Sequence, residues 1–187
     1  MKLSDMLVPT YVQMLKALAA WLAKAEEQLS EGAETLAPAR LAADMFPLST
    51  QIRFACVQAY EGIYRLRGEE LPDAVQVLLD EGRAAADRPG SLADAITRID
   101  ETVAAVTGLA TTIPDIDPQA PIVHALPMGM IFDLTAEQYV RDWALPQFYF
   151  HVMTAYAILR SEGVDLGKAD YVAHMFAYLR PGTMPAR

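Results

Sequence analysis

One stretch in the last third of the chain concentrates residue types that can do chemistry. Trp143, Gln147 and His151 are spaced four residues apart, so on a helix they share one face. Their neighbours are apolar, and such a face can line a pocket in which a few polar groups orient a ligand. Gln51 and Gln58, seven residues apart, also share a helix face and are candidate partners. The alternative is that these residues are buried and close a polar patch in the core.

The chain lacks the recognised sequence signatures of metal and nucleophile chemistry. It has three histidines, His124, His151 and His174, and none occurs in a His-x-x-x-His or Glu-x-x-His spacing. There is no Cys-x-x-Cys, no Gly-x-Ser-x-Gly, no Gly-x-Gly-x-x-Gly and no phosphate-binding P-loop. Cys56 lies in an apolar run, which predicts a buried core thiol, with a reactive thiol as the alternative.

Helical periodicity predicts four long helices. They span residues 4–29, 44–66, 92–109 and 135–161. The second is expected to start at a cap on Asp44, with Pro47 in its first turn, and the last at a capping box of Thr135 and Gln138. Pro146 lies inside the last helix and is expected to kink it or to split off its first turns. Shorter helical segments are predicted at 71–87 and 169–179.

The segment from Thr111 to Phe132 interrupts the helical pattern. It contains four prolines and a glycine, which an ordinary helix does not tolerate. Two short apolar runs, 122–126 and 130–132, flank Pro127-Met128-Gly129, which predicts a small β-hairpin before the last long helix. The chain is therefore predicted to form one all-α domain over residues 1–187 with a hairpin insertion, ending in a frayed tail at 181–187.

Composition restricts the partners. The chain has 187 residues, with 15 Lys and Arg against 24 Asp and Glu and a net charge of −9, which argues against nucleic acid or an anionic membrane surface. The apolar N-terminal segment is interrupted by polar residues, so it is predicted to be an amphipathic helix of a soluble protein rather than a membrane span or a signal sequence. A single cysteine fits the reducing cytoplasm, which is the expected location.

Three segments together resemble a known family. They are Asp44-Met-Phe-Pro-Leu-Ser-Thr-Gln51, the run from Leu145 to Arg160, and Gly163-Val-Asp-Leu-Gly-Lys168. They resemble the uncharacterised bacterial DUF1993 family within the DinB/YfiT-like superfamily, which includes metalloenzymes, and the resemblance covers nearly the whole chain. It implies a four-helix bundle with up-down-down-up connectivity and a long crossover, assembled into homodimers.

The resemblance also implies where a metal would bind. Metal-binding members of the superfamily hold zinc or nickel with one histidine on helix two and a His-x-x-x-His pair on helix four. With Leu159-Arg160 as the reference point, the second histidine of the pair corresponds to His151, the only plausible metal ligand in this chain, and the first is replaced by Gln147. The nearest helix-two residues are Gln51, Cys56 and Gln58. An amide oxygen is a weaker ligand for zinc or nickel than imidazole.

Two functional hypotheses follow. The first is a cytoplasmic bundle with a degenerate metal site that binds a small molecule between helices two and four, lined by Gln51, Trp143, Gln147 and His151. The second is a metal-assisted, thiol-dependent transferase or hydrolase using His151, since some superfamily transferases use bacillithiol or mycothiol as cosubstrate. There the metal would lower the pKa of a bound thiol or water. A protein-interaction module is a third idea, and it would require an exposed apolar patch beyond the dimer contact.

Overall fold

The computed structural model describes residues 2–183, and four long helices form its core. In chain order the elements are α1 (Leu3–Leu29), α2 (Leu48–Arg67), α3 (Asp73–Ala84), α4 (Leu92–Leu109), β1 (Pro121–Ala125), β2 (Ile131–Thr135), α5 (Ala136–Gln138), α6 (Leu145–Ser161) and α7 (Lys168–Tyr171). Helix α2 packs against α1, α4 and α6, and α1 packs against α4 and α6. The short α3 lies in the connection between α2 and α4. The predicted helical bundle with a hairpin before its last long helix is confirmed.

The start of α2 differs from the prediction. The helix begins at Leu48 rather than at a cap on Asp44, and the residue before it, Pro47, makes no side-chain capping bond. The first amide of the helix is satisfied instead by the preceding connection, since the Leu48 N–H donates to the Ala39 carbonyl at 2.8 Å. The local capping pattern fails here because the chain doubles back and supplies a backbone acceptor.

The predicted hairpin and the capping box after it are confirmed. Strand β1 pairs with β2 in antiparallel fashion, from Pro121 opposite Thr135 to Ala125 opposite Ile131. At the end of β2 the Thr135 hydroxyl accepts from the Gln138 N–H, and the Gln138 side chain accepts from the Thr135 N–H. Thr135 is therefore both the last residue of β2 and the N-cap of α5.

Pro146 divides the last long helix, as predicted. Between α5 and α6, residues Tyr139–Ala144 form a π-helical turn, and the Leu145 N–H reaches back five residues to the Val140 carbonyl. An α-helix continuing through Pro146 would need an amide that proline lacks, and the ring would press on the carbonyl four residues earlier. The wider turn before Pro146 avoids both problems. Such turns often occur at functional sites.

Helix α1 is long and apolar enough to cross a membrane by composition, with a mean hydropathy of 1.3 over its most apolar window. Its apolar face is nevertheless packed in the bundle, where Leu7, Leu15 and Leu18 are fully buried. Polar residues such as Lys16 and Glu27 are exposed on the other side. The helix therefore has the amphipathic burial pattern that the sequence predicts.

The C-terminal segment folds back onto α1. The predicted tail helix appears as α7 followed by a 3₁₀ helix over Ala173–Tyr178. The Trp21 indole N–H donates to the Asp170 carbonyl at 3.2 Å, and the Lys24 ammonium donates to the Asp170 carboxylate at 3.1 Å. Residues 184–187, part of the tail predicted to fray, lie outside the described residues.

Gly62→Ala is expected to destabilise the bundle by about 1–3 kcal/mol. A Cβ at position 62 of α2 would collide with the phenol of Tyr11, a fully buried ring on α1. The matched control is Gly108→Ala in α4, where a Cβ meets nothing within 4 Å. That change is expected to stabilise the protein by about 0.5–1 kcal/mol, because alanine is the better helix former. Urea unfolding measures both, and equal midpoint shifts would contradict this packing.

Candidate functional site

The structure brings two of the predicted site residues together. Gln51 on α2 and His151 on α6 are both buried, and His151 Nδ1 lies 2.8 Å from Gln51 Oε1. The same amide is held at its other end, where Gln51 Nε2 donates to the Phe46 carbonyl at 3.3 Å. An amide oxygen only accepts, so His151 Nδ1 carries the proton and donates it. The other ring nitrogen, Nε2, then carries no proton and can accept a hydrogen bond. It has no hydrogen-bond partner within residues 2–183.

Burial keeps this imidazole neutral. The pKa of His151 is lowered to about 4, because the apolar surroundings disfavour the charged form. Phe54 and Phe150 meet the imidazole edge-on, with ring centroids at 5.5 and 5.3 Å, and Phe46 packs against Phe54. Phe46 and Phe150 are 53% and 56% exposed, so this group reaches the surface. Gln51, His151 and these three phenylalanines are called the His151 site below.

The other two predicted pocket residues lie elsewhere or remain unengaged. Gln147, one turn before His151 on α6, is partly exposed and makes no side-chain hydrogen bond to any residue that the structure describes. Trp143 lies in the π turn and packs against His124 of β1, with ring centroids 4.4 Å apart. Two of the four residues thus form the Gln51–His151 pair, Trp143 lies beside His124, and Gln147 is bonded to neither.

The residues around His151 do not fit the metal site that the family resemblance implies. That site needs three imidazoles, whereas this one has a single imidazole and an amide oxygen already engaged by His151 Nδ1. No group of three or more His, Cys, Asp or Glu comes together among the described residues. Cys56 is fully buried, and burial raises the pKa of its thiol to about 12. The His151 site therefore offers a hydrogen-bond acceptor rather than a set of metal ligands.

A second polar group converges beside the π turn. It consists of Tyr11 of α1, Glu61 and Arg65 of α2, His124 of β1, and Tyr139 and Trp143 of the π turn, and is called the His124 cluster below. Within the described part of the chain, no hydrogen-bond partner exists for either phenol oxygen, either ring nitrogen of His124, Trp143 Nε1 or Arg65 Nε. Each unpaired buried atom costs about 1–3 kcal/mol. Together these costs are comparable with the stability of a whole domain, about 5–15 kcal/mol, so partners from outside the chain, whether ordered water or a ligand, would stabilise this arrangement.

The His124 cluster is electrically balanced. Glu61 Oε1 lies 3.5 Å from an Arg65 nitrogen and 3.7 Å from His124 Nδ1, both beyond ordinary hydrogen-bond length. Burial raises the pKa of Glu61, an effect that the Arg65 charge opposes, and burial lowers the pKa of His124. Burial also raises the pKa of both Tyr11 and Tyr139. One cation thus faces one carboxyl group among neutral side chains.

Sequence reasoning placed His124 on the hairpin but did not recognise the His124 cluster. One signal could have pointed to it, because strand alternation buries Ile122 and His124 on the inner face of β1. A histidine on the buried face of a short strand indicates that side chains from other elements pack against it. No comparable signal exists for Tyr11 or Glu61, because their approach to His124 depends on helix packing.

The fold defines a class, a DinB-like helical bundle with a β-hairpin before its last long helix. A solved structure of a DinB family member protein from Shewanella denitrificans is similar, with a TM-score of 0.73 and 31% identity over 98% of this chain and 96% of that chain. More particularly, the chain belongs to the DUF1993 family, a domain of unknown function that matches residues 3–172. No curated protein matches this chain. The family resemblance of the sequence is therefore confirmed.

Because of His151, the free energy of unfolding is expected to fall by about 2 kcal/mol between pH 7 and pH 5. The folded-state pKa of about 4 lies below the ordinary 6.5, so the unfolded chain binds a proton in this range and the folded chain does not. The contribution of the neutral His151 imidazole to the free energy of unfolding is complete above pH 6.5 and is lost as the pH falls towards 4. Urea unfolding at several pH values measures this slope.

The control for this prediction is His151→Gln, which removes the titrating group. The slope between pH 7 and pH 5 should flatten in this variant. His124→Gln is the comparison variant, since the pKa of His124 is also lowered by burial. A pH dependence that is the same in the wild type and in His151→Gln would contradict the assignment.

Proposed function

We propose that this protein binds a small molecule at the His151 site without a metal. The observation that carries the proposal is the hydrogen bond from His151 Nδ1 to Gln51, which leaves Nε2 as a bare acceptor among aromatic rings. Such a site complements a ligand with a flat apolar body and one O–H or N–H donor. The rings would pack against the body, and Nε2 would accept the proton of the donor.

Preorganisation supports this proposal. The Gln51 amide is fixed at both ends, so the imidazole cannot rotate without breaking the bond to it. Phe54 is also fixed, because its ring lies against Gly82 of α3, where any Cβ would overlap it. Groups that are already oriented lose little entropy when a ligand arrives.

The alternative is a metal-assisted, thiol-dependent transferase or hydrolase. One observation favours it, since metal-ligating histidines commonly donate their other ring N–H to a carbonyl oxygen, as His151 does to Gln51. A single imidazole with nearby amides is nevertheless a weak site for zinc or nickel. For this reason the metal-free function is the one proposed.

The proposal includes a homodimer located in the cytoplasm. The family resemblance supports the dimer, and the single cysteine and acidic composition are compatible with the location. Light scattering on the purified protein should give twice the chain mass of 20.5 kDa. A mass equal to one chain at micromolar concentration would remove the dimer from the proposal.

Phenol is expected to bind the His151 site about tenfold more tightly than toluene, the difference of one hydrogen bond. Both molecules offer an aromatic ring, but only phenol donates a proton to Nε2. The chain has three histidines, so NMR of protein labelled with ¹⁵N-histidine follows each imidazole separately. The His151 Nε2 resonance should shift on phenol addition while the His124 and His174 resonances stay in place.

Two variants control this experiment. His151→Phe keeps an aromatic ring but removes the acceptor, so the preference for phenol should disappear while toluene still binds. Gln147→Ala, one turn away on the same helix, should leave both affinities unchanged. A preference for phenol that survives in His151→Phe would contradict the proposal. Stoichiometric zinc or nickel in untagged protein purified without chelator, and lost in His151→Gln, would establish the metal-dependent alternative instead.

A further inference from the structure

We infer that the His124 cluster is a second binding site, which takes a small neutral molecule that carries a carbonyl oxygen beside a hydroxyl or amide group. The cluster shares no residue with the His151 site, so this inference does not depend on the proposed function. Three observations support it: buried polar atoms of the cluster have no partner within the described chain, the charges of the cluster balance, and a groove adjoins the cluster at Arg65.

The unpartnered atoms determine what the occupant must offer. Trp143 Nε1 and Arg65 Nε only donate hydrogen bonds, and a neutral His124 donates from one ring nitrogen and accepts on the other. The two phenols, of Tyr11 and Tyr139, can each donate as well. The occupant must therefore accept several hydrogen bonds and donate at least one. A carbonyl oxygen next to an O–H or N–H group meets both requirements.

The charges favour a neutral occupant. Arg65 and Glu61 already face each other at 3.5 Å, and the remaining members of the cluster are uncharged side chains. Tyr11 and Tyr139 are fully buried, so the surroundings screen an additional charge poorly. A carboxylate, a phosphate or an ammonium ion would bring an uncompensated charge into this interior. These ligands are therefore expected to be excluded.

A groove adjoins the cluster at Arg65. Its volume is about 540 Å³, and it runs between the C-terminal end of α2 and strand β1, with Arg65, Gly68, Ile122 and Val123 among its lining residues. Arg65 belongs to both the groove and the His124 cluster. The groove and the buried polar atoms therefore meet at this side chain, which is where an occupant is expected to enter. The groove is within the size range of small-molecule sites.

The fluorescence of Trp143 tests this inference directly. The chain has two tryptophans, so Trp21→Phe leaves Trp143 as the only indole reporter. Hydroxyacetone and glycolamide are both neutral and have about five non-hydrogen atoms each, which is enough for binding in the millimolar range. Both are expected to shift the Trp143 emission, and the shift is expected to saturate below about 100 mM. Lactate carries a charge, and butanone lacks the second polar group. Both are expected to bind about tenfold more weakly.

Removal of single hydroxyl groups separates a binding role from a structural one. Tyr139→Phe deletes a buried oxygen that has no partner in the described chain, so the Tm of the ligand-free protein should rise by about 2–4 °C. The same variant should bind hydroxyacetone about tenfold more weakly. Tyr11→Phe should behave in the same way. Tyr156→Phe is the control, because its ring packs on Trp21 outside the cluster, and neither quantity should change.

Four results would overturn the inference. One is the lack of a saturable response to both neutral probes, and another is a response to lactate as strong as that to hydroxyacetone. The third is a fall in Tm for both Tyr139→Phe and Tyr11→Phe, which would show that the hydroxyls stabilise the fold. A crystal soaked in hydroxyacetone should show it against His124, and ordered water alone at that position would also overturn the inference.

Discussion

The central position of α2 is the constraint on which both candidate sites depend. This helix packs against α1, α3, α4 and α6, so its successive faces meet different partners along its length. Near its start it presents Gln51 to α6, and near its end it presents Glu61 to β1 and α1. Ten residues of helix separate these two positions by about 15 Å. The sites therefore share a rigid scaffold but no side chain, and Gly62 permits the close approach of α1 that the second one requires.

The two buried histidines illustrate different uses of the same side chain. His151 has one nitrogen fixed by an amide, which determines its tautomer and leaves a directed acceptor. His124 has neither nitrogen fixed by the described chain, so both of its tautomers remain accessible and it can adapt to what it meets. Burial holds both neutral near pH 7. The first arrangement suits recognition of one donor, and the second suits an occupant with mixed polarity.

The features that the sequence predicts well are local ones. The capping box at Thr135, the split helix at Pro146 and the hairpin each depend on a few neighbouring residues, and each is present. The sequence also predicts Gln51 and His151 as site residues, and in the structure their side chains share a hydrogen bond. The cap on Asp44 failed because the real acceptor comes from a chain reversal. The His124 cluster was missed because most of the sequence separates Tyr11 from His124, and only tertiary packing brings them together.

The apolar face of α1 has a consequence for synthesis of the protein on the ribosome. Among the four long helices α1 is made first, yet α4 ends at Leu109 and α6 at Ser161, and both cover it in the finished bundle. The end of α6 follows the end of α1 by 132 residues, so at about 5–20 residues per second α1 is without its last partner for about 7–26 s. During that interval the apolar face of α1 is without the partners that bury it, and exposed apolar surface makes an incompletely folded chain prone to aggregate. The polar residues on its outer face, such as Lys16 and Glu27, limit how much apolar surface the helix exposes before its partners have been made.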